Sequence, residues 1–192
     1  LARIEHPGVV KIHRTGRDGD LLFLVMELVR GVSLDRIVAD LAASDGPPTL
    51  QRLRALLGEA RLVGLSNLLP PDDDAPWWVG VTRITAAILQ ILEAVHERGV
   101  LHRDLKPSNV MLRVSGHPVL LDFGMASFRD QEGSQLTSRL YGTLQYLAPE
   151  QLRDSRTGKD ERTDVYQVGA ILYEFLTLRR ACDDLDALRG HR

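Results

Sequence analysis

A single cysteine, Cys182, stands among 192 residues. That excludes an internal disulfide and a cysteine metal cluster, and a lone thiol fits a reducing, cytoplasmic compartment. Neither sign of charge is in excess. The formal net charge is −2, which argues against nucleic acid or an anionic membrane surface as a partner. Long hydrophobic runs are missing as well. The most apolar stretches, 84–95 and 168–178, are interrupted by Gln90 and Glu93 and by Tyr173 and Glu174. Neither reaches the ~18 residues of a membrane segment, and no secretory leader opens the chain. Lysine is scarce: Lys11, Lys106 and Lys159 are the only three among 24 basic residues. No internal repeat is visible. What is present, 44% hydrophobic and 26% charged residues, is the composition of a globular domain long enough to bury its own core.

Periodicity divides the chain into short strands followed by helices. Val9–His13 and Leu21–Met26 read as strands, with turn chemistry over 15–20 between them. Ser33 sits where an N-cap would open a helix reaching Ala43. Val81–Arg98 carries Ile84, Ile88, Ile91, Leu92 and Val95 on one face, and Gly99 follows as a C′ residue. Val110–Arg113 and Val119–Leu121 form a hairpin pattern around Gly116. Residues 122–150 show little periodicity and read as a long loop. Thr163–Leu178 is a further helical pattern. The segment 44–79 differs in composition, with five of the nine prolines and an acidic run at 72–74. Within it, Leu50–Leu65 has helical apolar spacing. It reads as a surface hairpin packed on a helical layer, or, more sharply, as a docking element anchored by Trp77 and Trp78. Core packing at the foot of the next helix is the favoured role of the two tryptophans.

Three ordered motifs carry the chemistry. The first, 102–109, places Asp104, Lys106 and Asn109 two and then three residues apart. Asp122-Phe123-Gly124 and Ala148-Pro149-Glu150 follow. A lone Asp in a polar loop is usually a turn or cap residue. A carboxylate, an ammonium and a carboxamide at fixed offsets are instead what phosphoryl transfer needs, because the protein must position a hydroxyl and neutralise phosphate charge. The ordered set resembles the signature of serine/threonine protein kinases of the eukaryotic-like type. The arginine skew points to a GC-rich, bacterial coding sequence.

The resemblance implies an α+β, protein-kinase-like fold. Residues 1–29 would form the end of a small lobe and the hinge, and 30–192 part of a mostly helical lobe, with 44–79 as an insertion. It implies ATP and Mg²⁺ as cofactors and protein substrates with Ser or Thr acceptors, with self-association for autophosphorylation as an option. Asp104 would accept or orient the acceptor hydroxyl, and Lys106 would balance phosphoryl charge. Asn109 and Asp122 would hold Mg²⁺. Met26 would be the gatekeeper, backbone groups of Glu27 and Val29 would meet adenine, Ser33 would reach the ribose, and Met111 would lie under the base. Helix capping explains Ser33 equally well. His102 and Phe123 would stack with Ile12 and Leu1 in a packed spine, which makes His102 structural. Arg103 would meet a phosphorylated loop, for which Thr137 and Ser138 are candidate sites. Gly124, Thr143, Glu150 and Asp164 would be structural supports, Asp164 by bracing the catalytic loop through backbone N–H groups. Lys106 and Thr143 both indicate Ser/Thr rather than Tyr specificity.

The departures are equally specific. A glycine-rich phosphate loop, a strand lysine and its helix glutamate are not among these residues; His6-Pro7-Gly8 resembles the segment that follows that helix. The usual arginine partner of Glu150 is absent too. Leu1 in place of methionine reads as an incomplete record, truncated at both ends. The isolated chain is therefore expected to bind ATP poorly and to be inactive, while its parent is active. The alternatives are a pseudokinase or non-catalytic interaction module and, last, a small-molecule phosphotransferase of kinase-like fold.

Overall fold

The computed structural model describes residues 4–58, 68–72, 74–123, 145–153 and 160–181. Its first element pair is an antiparallel hairpin of β1 (Ile12–Asp18) and β2 (Leu21–Met26). The turn expected over six residues contracts to Gly19-Asp20, with Gly19 in the left-handed region at φ 57°. Gly16 permits this, because a Cβ there would come within 2.3 Å of the Phe23 ring across the ladder. The first strand is accordingly displaced from its expected span. Val9 and Val10 are buried instead against Leu120, to which Val10 N–H donates at 3.0 Å. Two adjacent apolar residues gain more from the core than from a half-exposed ribbon.

A second sheet was less legible. β3 (Gly31–Ser33) pairs antiparallel with β4 (Val110–Arg113), which pairs with β5 (Pro118–Leu120). Three residues beginning with glycine give no strand signal. Close approach of the backbones explains the glycine, since a Cβ on Gly31 would lie 2.2 Å from the Leu112 carbonyl oxygen. Gly116, at φ 79°, turns β4 into β5.

Five helices complete the described residues: α1 (Leu34–Ala42), α2 (Leu50–Leu57), α3 (Trp77–His96), the short α4 (Pro149–Arg153) and α5 (Glu161–Thr177). Ser33 occupies the N-cap of α1 but makes no side-chain cap bond. Thr49 caps α2 by accepting from Arg52 N–H at 3.2 Å, and Asp160 caps α5 by accepting from Arg162 N–H at 2.9 Å. α2 stops at Gly58, which is left-handed at φ 76°, instead of running to Leu65; 59–67 lie outside the described residues.

α3 starts at Trp77, earlier than the periodicity suggests, because Trp77 is fixed from outside its own helix. Its indole meets the Phe175 ring edge-on at 5.1 Å, and its Nε1–H donates to the Phe175 carbonyl at 3.2 Å. Trp78 is 59% exposed, so only the first tryptophan is core material. The earlier start makes α3 long and apolar enough, by length and composition, to cross a membrane, which the interrupted run in the sequence did not suggest. Its apolarity has a local use: Ile84, Ile88, Leu92 and Val95 are buried in one core with Val168, Ile171 and Phe175 of α5. α2 joins that core through Leu50, Leu53 and Leu57, each buried, and Gly80 on α3 leaves room for the Leu50 side chain. The compositionally odd segment thus supplies core leucines to the helical layer.

Trp77→Ala should cost about 3 kcal/mol in urea unfolding, while Trp78→Ala should stay within about 0.5 kcal/mol. Equal losses at the two positions would contradict this assignment of the indoles.

Candidate active site

The loop between α3 and β4 can hold its shape only if its polar backbone groups are satisfied. Asp164, in the first turn of α5 and 0% exposed, does much of this. Its Oδ2 accepts from His102 N–H at 2.9 Å and its Oδ1 from Arg103 N–H at 2.7 Å. His96 Nε2, in the last turn of α3, lies 2.8 Å from the same Oδ2. One carboxylate therefore ties the end of α3 and the start of α5 to the loop. His96 is a member of this group that the sequence did not single out. Arg103 needs such support, because its φ of 67° is strained for a residue with a side chain.

Asp104 follows, 5% exposed. Lys106 Nζ lies 3.1 Å from its Oδ2 and 3.4 Å from its Oδ1. The 3₁₀ turn Pro107–Asn109 then folds the chain back, so that Asn109 Nδ2 donates to the Asp104 carbonyl at 2.7 Å. That bond fixes which end of the Asn109 amide donates, so its Oδ1 is the acceptor end. Leu121 N–H donates to the Asn109 carbonyl at 2.9 Å, which sets the residue before Asp122 against Asn109. Asp122 itself takes φ 57°. A single turn and a single backbone bond thus set Asn109 against Asp104 and the residue before Asp122 against Asn109.

His102 is fully buried and linked on both sides. Its Nε2 bonds the Leu121 carbonyl at 2.8 Å and its Nδ1 accepts from Asp104 N–H at 3.4 Å. Its ring lies 4.4 Å from that of Phe123, tilted by 48°. Burial pushes the imidazole below its ordinary pKa, against the opposing pull of Asp164. It is a neutral packing group joining the two loops. Ile12 belongs to β1, and Leu1 lies outside the described residues.

On the nucleotide side, Met26 ends β2 opposite Ile12. Glu27 N–H donates to the Lys11 carbonyl at 2.9 Å, so only the Glu27 carbonyl could meet a base. Glu27 Oε1 lies 3.7 Å from Arg113 Nη2, which links the hinge to β4. Val29 lies in the stretch between β2 and β3. Ser33 and Met111 face each other across the β3–β4 ladder and line a cavity of about 450 Å³ with Gly31, Arg36 and Leu56. The presence of Leu56 means that α2 walls this cavity.

Glu150 of α4 meets a hydroxyl where the family would lead one to expect a cation: Thr163 Oγ1 donates to its Oε1 at 2.7 Å. Two glutamines, Gln151 and Gln167, bond the loop around Arg103 and Leu105. Nothing in their spacing marks them, since a polar residue on a helix ordinarily reads as solvent-facing. Gly124, Thr137, Ser138 and Thr143 lie outside the described residues. Arg103 Nε is buried and has no hydrogen-bond partner among the described residues.

In fold, this arrangement is that of the protein kinases. The kinase domain of PknI from Mycobacterium tuberculosis superposes with a TM-score of 0.61 at 24% identity, over 95% of this chain and 54% of that one. The sequence profile of the protein kinase domain matches residues 1–187, and the chain belongs to the protein kinase family. A probable serine/threonine-protein kinase of Streptomyces coelicolor is 36% identical over 93% of this chain and 22% of its own length. The serine/threonine-protein kinase PkaA of the same organism is 35% identical over 93% of this chain and 27% of its own. PknB of Mycobacterium leprae is 33% identical over 92% and 24%. The chain spans about a quarter of the length of these curated relatives. The expected α+β kinase-like fold is met, and the relatives named are bacterial serine/threonine-protein kinases.

The buried neutral His102 makes stability pH-dependent. Its folded pKa lies below its unfolded value near 6.5, so the unfolded chain binds the extra proton first. Stability from this group is full above about pH 6.5 and falls, by up to ~1.4 kcal/mol per pH unit, until the folded pKa is reached. In denaturant titrations, any advantage of the wild type over His102→Phe should shrink from pH 7.5 to pH 5. Parallel profiles for the two proteins would show that His102 does not titrate this way.

Proposed function

We propose that the protein to which these residues belong transfers the γ-phosphoryl group of ATP to Ser or Thr hydroxyls of protein substrates, with Mg²⁺. One observation carries the reading: Asp104 is nearly buried, with Lys106 Nζ 3.1 Å from its carboxylate and the Asn109 amide turned by its carbonyl. A buried carboxylate on a braced loop is suited to orient an acceptor hydroxyl and to take its proton as the bond to phosphorus forms. Lys106 would offset charge on the transferring group.

The donor set fits a small hard cation. Asn109 presents an amide oxygen and Asp122 a carboxylate, and Mg²⁺ commonly takes one or two protein oxygens beside phosphates and water. When bound, the ion neutralises charge on the phosphates. Asn109 and Asp122 would hold it. Adenine would lie between Met26 and Met111, with its polar edge toward the Glu27 carbonyl and Val29, and Ser33 would approach the ribose from its end of β3. Arg103, with a buried guanidinium nitrogen unpaired among the described residues, suits a phosphate on Thr137 or Ser138.

In the full-length protein, Asp104→Asn should lower phosphoryl transfer to a protein acceptor by about 10²–10⁴-fold, with Mg·ATP affinity close to wild type. A variant that keeps most of its rate would remove Asp104 from this role. Mg·ATP binding by the wild type without any transfer would move the reading to a pseudokinase.

A further inference from the structure

The two glutamines that the sequence did not mark lie on either side of the catalytic aspartate. Gln167, on α5 and 1% exposed, accepts from Leu105 N–H through Oε1 at 3.0 Å. Its Nε2 donates to Gln151 Oε1 at 3.1 Å and approaches the Arg103 carbonyl at 3.4 Å. Gln151, on α4, donates from Nε2 to that same Arg103 carbonyl at 2.9 Å. Its Oε1 also accepts from Ala148 N–H at 2.9 Å. The peptide group before Asp104 and the one after it are therefore both held by carboxamides. Those carboxamides bond each other, and the outer one holds the backbone of the Ala148-Pro149-Glu150 segment.

Satisfaction of the pair is nearly complete. Gln151 Oε1 accepts two N–H groups and Gln167 Oε1 one, and each amide nitrogen donates. The amides are also placed where the backbone is strained, since Arg103 has a positive φ. A strained residue keeps its conformation only when its surroundings over-determine it. Asp164 holds the Arg103 N–H, and the two glutamines hold its carbonyl.

We infer that Gln151 and Gln167 are positioning residues that form an amide relay, transmitting the placement of the 148–150 segment to the carboxylate of Asp104. The inference deepens the kinase reading and rests on it for its catalytic consequence. The geometry of 148–150 enters one end of the relay through Ala148 N–H, and the peptide groups flanking Asp104 leave the other. A shift of α4 breaks the Gln151 bond to Arg103 and frees the Arg103 peptide to leave its left-handed conformation. Asp104 then turns away from the acceptor.

Gln151→Leu, Gln167→Leu and the double variant of the full-length protein test this, because leucine keeps the volume and removes only the amide. Hydrogen–deuterium exchange of the peptide covering 103–107 is the first readout, with 84–92 of α3 as reference. Gln151→Leu should speed exchange over 103–107 by at least about tenfold while the reference is unchanged, and the double variant should add little to either single change. With myelin basic protein as acceptor, kcat should fall about tenfold in each variant and the KM for ATP should stay within about twofold. A merely structural amide would lower the melting temperature and leave kcat of the folded enzyme alone. Unchanged exchange over 103–107 in Gln151→Leu, or multiplying effects in the double variant, would overturn the relay. Wild-type protein that transfers no phosphoryl group would sink the kinase reading instead, and the exchange experiment would still decide the relay.

Discussion

The buried carboxylate of Asp164 is the interaction on which the site depends. A charge with 0% exposure is tolerated only when its oxygens are filled with donors, and here two backbone N–H groups and an imidazole nitrogen fill them. Its place in the first turn of α5 adds the favourable end of a helix dipole. The consequence is geometric. Two of the donors are consecutive residues, His102 and Arg103, so the carboxylate fixes the direction in which the chain enters Asp104. Because α5 packs on α3 through a shared core, the loop inherits the rigidity of two long helices. The apolar face of α3 and the chemistry of the loop are in this sense one construction.

The remaining site residues follow by short steps from that anchor. A 3₁₀ turn brings Asn109 back onto the Asp104 carbonyl, and one backbone bond from Leu121 carries the register to Asp122. His102 crosses between the two loops as a neutral ring, stacked on Phe123 and bonded to Leu121. Among the described residues, Arg103 and Asp122 are two of the three non-glycine positions with positive φ, the third being Leu178 at the end of α5. Arg103 precedes Asp104, and Asp122 is itself one of the proposed site residues, a placement that fits strain serving geometry.

Much of this was legible in the sequence, and the losses have identifiable causes. The motifs containing Asp104, Asn109 and Asp122 were readable because side-chain type and offset are themselves the signal. Strong 3.6-residue periodicity gave α3 and α5. β3 escaped because three residues cannot show alternation. α2 was read too long because Gly58 ends it within a continuing leucine pattern, and α3 too short because Trp77 is held by Phe175, a residue nearly a hundred positions away. Val9 and Val10 looked like strand and serve as core. His96, Gln151 and Gln167 escaped for a different reason: His96 meets a carboxylate 68 positions away, and the two glutamines meet backbone atoms of another loop, which leave no trace in composition or period.

The β1–β2 ribbon is a thin, partly exposed element of the described structure. It is a two-stranded sheet with Leu21 74% exposed and Phe23 41% exposed, whereas β3, β4 and β5 are backed by the helical core. An isolated ribbon of this kind opens at little free-energy cost, while the strands below it open only with the core. The contacts of Glu27 with Lys11 and Arg113 pin the ribbon at its base alone. A nucleotide entering between them would meet a stiff floor under its base and a yielding roof above it. Its binding would then work like a clasp, drawing the thinner wall toward the thicker one.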